Sequence, residues 1–255
     1  MTRSYLLHVP PRYDGSHPAA LVLAFHGVGL TVDFFSAYTA LTGRTDQRNW
    51  VVAFPQAAGD QRAWNVLRDA SRPDDATFAS ELLDHLKRTL CIDEARVYAT
   101  GFSLGGGMAE LLACLDPTDV AAVGVVASTF AGCTAPIPLL VVQGTLDASV
   151  PYLGGTYPAQ IGGGPAPPTR DVVGRWASAA GCSAQARTEQ VAADVIVTRF
   201  ERCPGLGVVS YVVEGGAHGW PGSPLPIAAE YGGNTTNSIS ASDLIVDFFE
   251  NSARR

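Results

Sequence analysis

The sequence predicts an α/β protein with a mostly parallel central sheet and helices on both faces. Three observations predict it. Strand-like and helical segments alternate along the chain. Most strand-like runs are short and apolar throughout, as in "ALVLAF", "WVVAF" and "PLLVVQG", which is how strands covered on both faces read. The helical segments between them carry apolar stripes, so each has one face to bury.

The elements follow in order. "SYLLHV", "ALVLAF" and "WVVAF" are three early strands. Residues 75 to 90 then form a helix, because Phe78, Leu82, Leu86 and Leu90 recur every four residues on one face. Asp74 and Asp75 stand at its start, where the helix dipole favours negative charge. "RVYATG" is the next strand, and residues 104 to 115 form the helix after it. "AAVGVVA" and "PLLVVQG" follow as buried strands, "RDVVGRWASAAG" as a helix closed by Gly181, and "SYVV" as a further strand. In "SASDLIVDFFENSA", Leu244 pairs with Phe248 and Ile245 with Phe249, so the terminal helix docks by an apolar face. The stretch "LGGTYPAQIGGGPAPPTR", residues 153 to 170, has no periodicity. A loop of that length in a compact domain is usually functional or mobile, and the sequence leaves open whether it covers a pocket.

Neither an internal repeat nor a linker divides the 255 residues, so residues 1–255 are expected to form a single domain. A hydrophobic content of 47% against 16% charged residues is enough for a sizeable core. The net charge of −7 argues against a nucleic-acid partner, which needs a basic face. The longest apolar run, "VAAVGVVAS", is about half of the ~20 residues that cross a membrane, so no membrane partner is expected. The N-terminus "MTRSYLLHVPPRY" lacks the charged, apolar, small-residue order of a signal peptide. The protein is therefore either cytoplasmic or secreted with a leader absent from this chain. Five cysteines argue mildly for an oxidising compartment, and the odd number leaves at least one unpaired within the chain. The favoured pair is Cys182 with Cys203, which would pin the "CPGLG" turn to a helix end. Cys91, Cys114 and Cys133 could supply a second bridge, with no basis for choosing, and buried free thiols are the alternative. Metal-ligand spacings such as H-E-x-x-H or paired cysteines are absent, so neither a metal nor a cofactor is expected. A monomer is expected.

The chemistry centres on "YATGFSLGGGMAELLA". "GFSLG" fits G-x-S-x-G, a weak signal alone, but here it follows a strand and opens a helix. That context is a nucleophile elbow. Its turn lifts the Ser103 hydroxyl out at the carboxyl end of the sheet, and the Leu104 N–H lies where an oxyanion would develop. Serine needs a base and an orienting acid, which on such a framework follow in the order acid, then histidine. Of His8, His17, His26, His85 and His218, only His218 lies after the serine. Asp147 comes three residues after the strand that ends at Gly144, and is preferred as acid over Asp171, Glu189 and Asp194. Its task is to accept the imidazole N–H and fix the tautomer. The second oxyanion donor is expected from the loop after "LVLAF": Val28 N–H, with Gly27 N–H as the alternative. His26 is expected to brace that loop.

These residues resemble a known family. "RSYLLHVP", the "HG" after the second strand, "GFSLGGGMAELLAC", "GTLDASVPY" and "GGAHGWPG" are together similar to the polyhydroxybutyrate depolymerase and feruloyl/acetylxylan esterase group. The resemblance runs from about residue 3 to 250. It implies an α/β-hydrolase fold and a carboxylic ester hydrolase, secreted in many members, with Ser103 as nucleophile, Asp147 as acid and His218 as base. The sequence departs from the group at Leu104, in the short loop "HGVGL" and after the Trp-Asn pair of "AWNVLRDASRPDD". Those departures touch the pocket wall and bear on substrate more than on mechanism. Gly27, Trp64 and Trp220 are expected substrate contacts, the tryptophans because indole offers a flat apolar face. Feruloyl or acetyl esters of plant cell-wall material rank first as substrates, and polyhydroxybutyrate or related polyesters second. A peptidase is a weaker rival, and the rival of another class is a catalytically inactive binding protein on the same fold.

Overall fold

The computed structural model describes residues 2–254, apart from 130–131, 162, 205–206, 228–232 and 234. Its centre is a nine-stranded sheet. The strands are β1 (Tyr5–His8), β2 (Ala19–Phe25), β3 (Val51–Pro55), β4 (Ile92–Phe102), β5 (Ala122–Val126), β6 (Leu139–Gly144), β9 (Ala186–Ala192), β10 (Val195–Phe200) and β11 (Val208–Val213). Across the sheet the order is β1-β3-β2-β4-β5-β6-β11-β10-β9. The six strands from β3 to β11 in that order run parallel, while β1, β10 and β9 add antiparallel edges. Two short strands, β7 (Gly155–Thr156) and β8 (Pro165–Ala166), form a separate ribbon.

The sheet is covered on both sides, and β2 shows why. All seven of its residues are buried. Leu21, Leu23 and Phe25 join one apolar cluster, while Ala20, Val22 and Ala24 join the other, as the two-residue period of a strand requires. The first cluster is completed by α3 (Asp75–Thr89), α4 (Leu104–Leu115) and α5 (Thr169–Ala179). The second is completed by α1 (Val32–Thr39), α2 (Leu41–Arg48) and α6 (Ala241–Glu250). This is the α/β-hydrolase type of layering expected from the sequence.

The helix ends obey local chemistry. The Asp74 carboxylate caps α3 by accepting from Thr77 N–H at 3.0 Å, and Lys87 and Arg88 occupy its last turn. Ser240 caps α6 by accepting from Asp243 N–H, and Ile245 and Phe249 sink fully into the core. Gly181 follows α5 with positive φ, as expected.

Cys182 is bridged to Cys203, the pair favoured from sequence. A second bridge joins Cys114 to Cys133, leaving Cys91 as a free thiol. Residues 153–161 and 163–170 carry more regular structure than their composition suggests. Besides the β7–β8 ribbon they contain a 3₁₀ turn at Ala159–Ile161, and the Tyr157 hydroxyl donates to Thr129 O at 2.8 Å. Among the described residues, no helix is long and apolar enough to cross a membrane.

Candidate active site

The site assembles at the carboxyl ends of the parallel strands. β4 ends at Phe102, α4 begins at Leu104, and Ser103 stands between them at φ 56°, ψ −128°. A non-glycine residue rarely adopts positive φ, and its retention here marks a turn over-determined by its surroundings. Those surroundings are close. A Cβ on Gly101 would lie 2.2 Å from Gly105 O, and one on Gly105 would lie 2.2 Å from Phe25 O. Both outer positions of the G-x-S-x-G pattern must therefore lack a side chain. The Ser103 N–H donates to Val126 O at 3.0 Å, which ties the turn to β5.

Asp147 lies in the loop after β6, and His218 in the loop after the neighbouring β11. His218 Nδ1 meets Asp147 Oδ2 at 2.8 Å, with both residues buried. With the carboxylate as acceptor, Nδ1 carries the proton and Nε2 is left as the basic nitrogen. The other carboxylate oxygen, Oδ1, accepts from Ser149 N–H at 2.9 Å and Val150 N–H at 2.7 Å. Gln143 Nε2 donates to Oδ2 at 2.9 Å. The Phe102 ring sits against the imidazole with centroids 4.8 Å apart.

Ser103 and His218 open onto one cavity of about 330 Å³. Gly27, Val28 and Leu30 form one side of it, and Pro158, Ile161 and Ile227 contribute apolar wall. Its described lining includes no Asp, Glu, Lys or Arg side chain. Gly27 packs so closely that a Cβ there would lie 2.8 Å from the Phe102 ring and 3.4 Å from Ser103 Cβ. The loop after β2 thus lies directly beside the serine. Val28 sits in a tight turn closed by Leu30 N–H donating to Gly27 O at 3.2 Å. Among the described hydrogen bonds, neither Val28 N–H nor Leu104 N–H donates to a protein acceptor.

His26 braces this loop, as expected. Its Nδ1 donates to Gly27 O at 2.7 Å, and its Nε2 accepts from Gln56 Nε2 at 2.7 Å and Ala57 N–H at 3.1 Å. Burial makes the imidazolium costly and pushes the His26 pKa down to about 4, against the opposing pull of the Gly27 carbonyl. The ring is neutral at neutral pH, and each nitrogen has its partner.

The two tryptophans expected as substrate contacts lie elsewhere, Trp220 on a neighbouring cavity that shares Ile227 with this one. Neither Trp64 nor Trp220 is on the described cavity wall. Trp64 is fully buried and donates its indole N–H to His26 O at 2.8 Å, so it supports the loop from behind. Trp220 is buried between Tyr38 and α6. Its backbone N–H donates to Tyr38 Oη at 2.8 Å, and its indole N–H donates to Ser242 Oγ at 3.0 Å. In both cases the indole N–H, which must be satisfied when buried, found its partner inside the scaffold. Sequence reasoning passed over Phe102, Gln143 and Ser149. Phe102 lies inside the motif itself, and Gln143 is the lone polar residue in the apolar run "LLVVQG", so both carried a usable signal. Among the described residues, no cluster of three His, Cys, Asp or Glu side chains could hold a metal ion.

The family model described as Esterase PHB depolymerase matches residues 3–151. The chain belongs to this esterase family. The esterase is 33% identical to "Putative esterase NocK" of Nocardia uniformis subsp. tsuyamanensis, over 97% of this chain and 79% of that one. It is 30% identical to feruloyl esterase C of Emericella nidulans, over 60% of this chain, and the match spans only 58% of that relative's length. In three dimensions it is similar to the acetyl xylan esterase from Aspergillus awamori, with a TM-score of 0.68. That likeness covers 98% of this chain and 94% of the other at 14% identity, and it bears on the fold.

Proposed function

We propose that this esterase cleaves carboxylic esters with Ser103 as nucleophile, His218 as general base and Asp147 as its orienting acid. The observation that carries the reading is the 2.8 Å His218–Asp147 hydrogen bond on the same cavity as a serine held at positive φ. Ser103 Oγ attacks the ester carbonyl while His218 Nε2 takes its proton. The N–H groups of Val28 and Leu104 hold the developing oxyanion, since among the described hydrogen bonds no protein acceptor competes for them. The tetrahedral intermediate collapses, the alcohol leaves with the proton from His218, and an acyl-enzyme remains. Water activated by His218 then releases the acid.

The wall of Val28, Leu30, Phe102, Pro158, Ile161 and Ile227 favours an uncharged, flat or apolar acyl group. A cavity of about 330 Å³ exceeds what an acetyl group fills, which puts feruloyl-type esters first, in line with the feruloyl esterase relatives. A second reading, hydroxyalkanoate polyesters, draws on Leu146 and Leu153, which flank the Asp147 loop and are 68% and 81% exposed. Residues 1–255 would act as one catalytic domain and as a monomer, without metal or cofactor. The bridges Cys114–Cys133 and Cys182–Cys203 favour a secreted protein.

The test is hydrolysis of methyl ferulate beside p-nitrophenyl acetate and p-nitrophenyl butyrate, with Ser103→Ala as the blank. The variant should lose about four or more orders of magnitude in kcat/KM. Efficient ferulate release supports the aromatic acyl site. Turnover of the small activated esters alone would redirect the search to acetylated xylan and hydroxybutyrate oligomers. A wild-type protein that neither hydrolyses any of them nor takes up a covalent serine probe at Ser103 would be a binding protein.

A further inference from the structure

Gln143 is fully buried near the end of β6, opposite Val212 of β11, and is not among the residues lining the cavity. Its amide nitrogen donates both hydrogens: to Asp147 Oδ2 at 2.9 Å and to Val150 O at 3.0 Å. The partners fix which way the amide faces. The flipped amide would set its oxygen against a carboxylate and a carbonyl, two acceptors. The observed orientation has its own cost, because Gln143 Oε1 is buried without a described partner. An apolar side chain of the same length would avoid that cost, so space-filling does not account for the amide.

On the proposed reading of the Ser103–His218–Asp147 site, we infer that Gln143 is a positioning residue that aims the Asp147 carboxylate at His218. The loop N–H groups of Ser149 and Val150 hold only Oδ1. With one oxygen pinned, the carboxylate can still pivot and carry Oδ2 away from the imidazole. Gln143 closes that freedom by donating to Oδ2, the oxygen that His218 Nδ1 uses. Its second bond, to Val150 O, ties the end of β6 to the far side of the acid loop, so strand and loop move together. A fixed Oδ2 fixes the imidazole plane, and with it the direction in which Nε2 faces. The Phe102 ring supports that plane from beside it. Gln143 acts through Asp147 and touches neither substrate nor nucleophile.

The experiment measures kcat and KM of the full chain on p-nitrophenyl butyrate for wild type, Gln143→Met and Gln143→Glu, with Ser103→Ala as the blank. Methionine keeps the length and removes the donor. It should lower kcat about tenfold and leave KM within about twofold, because only the geometry of the chemical step changes. Glutamate sets an acceptor against Asp147 and should lose more than methionine. In an Asp147→Asn background, Gln143→Met should change kcat by less than about twofold, since the group it acts through is gone. A Gln143→Met enzyme with wild-type kcat would overturn the inference. So would an equal loss with and without the Asp147 carboxylate, which is what a purely structural role gives. If thermal melting shows that the methionine variant does not fold, Gln143→Asn, one methylene too short to reach Oδ2, is judged by the same criteria. Wild-type protein that neither turns over the ester nor labels at Ser103 would refute the underlying site. Active wild type with unaffected variants would refute the role of Gln143 alone.

Discussion

At the scale of single residues, the site depends on atoms that are missing as much as on those present. Gly105 is where α4 crosses the end of β2, and its Cα faces the carbonyls of Phe25 and His26. Replacing it with alanine would force a methyl group to 2.2 Å and 2.3 Å from those oxygens, so backbone must move. Gly105→Ala should destabilise the protein by about 3 kcal/mol or more. It should also lower kcat, since the shift displaces Leu104 N–H. A melting curve and a rate on the same sample check both, and an unchanged melting temperature would contradict the packing described. His26 and Trp64 show the complementary case. Neither is placed to touch an ester, yet together they hold the Gly27–Val28 peptide beside the serine. From sequence, Trp64 looked like a pocket wall because its aromatic face was legible and its N–H partner, a carbonyl 38 positions earlier, was not.

At the scale of elements, the parallel centre was readable because burial on both faces leaves an unbroken apolar run, as in β2, β5 and β6. The placement of Ser103, Asp147 and His218 after strands of the sheet was readable as well, since each follows a strand-like run. The periphery was not. The strand β9, "ARTEQVA", is an edge strand exposed along most of its length, so nothing selects apolar residues there. Its partner β10 alternates only loosely, and pairing with β9 slips between Val195 and Ile196. The helix α2, "LTGRTDQR", buries little beyond Leu41 and Thr45 and is held by ion pairs to α6, Arg44 with Asp243 and Arg48 with Asp247 and Glu250. Such contacts leave no periodic trace in a single sequence. The segment 153–170 was legible as unusual but not as structured, because its short ribbon and the reach of Tyr157 to Thr129 leave no apolar periodicity in the sequence.

At the scale of the whole molecule, buried titratable groups set the pH range of stability. His26 has its pKa lowered to about 4, whereas the unfolded chain protonates near 6.5. As pH falls from about 6.5 to 4, the unfolded state takes up a proton that the native state refuses. Stability is therefore lost across that window, by an amount on the order of 3 kcal/mol at its lower end. The lowered carboxylates, Asp74 and Asp93 among them, act below that window, because even their ordinary value is 3.8. On the alkaline side, burial raises Tyr38 and Tyr98 from 10 to about 12, so stability falls again as pH rises through that interval. Urea unfolding midpoints should therefore decline from pH 7 to pH 4.5, and from pH 10 to pH 11.5, with a plateau between. A flat midpoint from pH 7 to pH 4.5 would show that His26 is not held neutral.

The Cys182–Cys203 bridge has a consequence for proteolysis. The tip between β9 and β10, residues 193–194, is the turn of an edge hairpin and lies between the two bridged cysteines. A protease that clips this tip would sever Asp147 from His218 along the chain, yet the bridge would still join the two pieces covalently. The clipped protein should run as a single band on a non-reducing gel and split into fragments of roughly three quarters and one quarter of the chain once a thiol reductant is added. Retained ester hydrolysis before reduction would show that the paired strands and one sulfur–sulfur bond are enough to keep Asp147 and His218 in register without a continuous backbone.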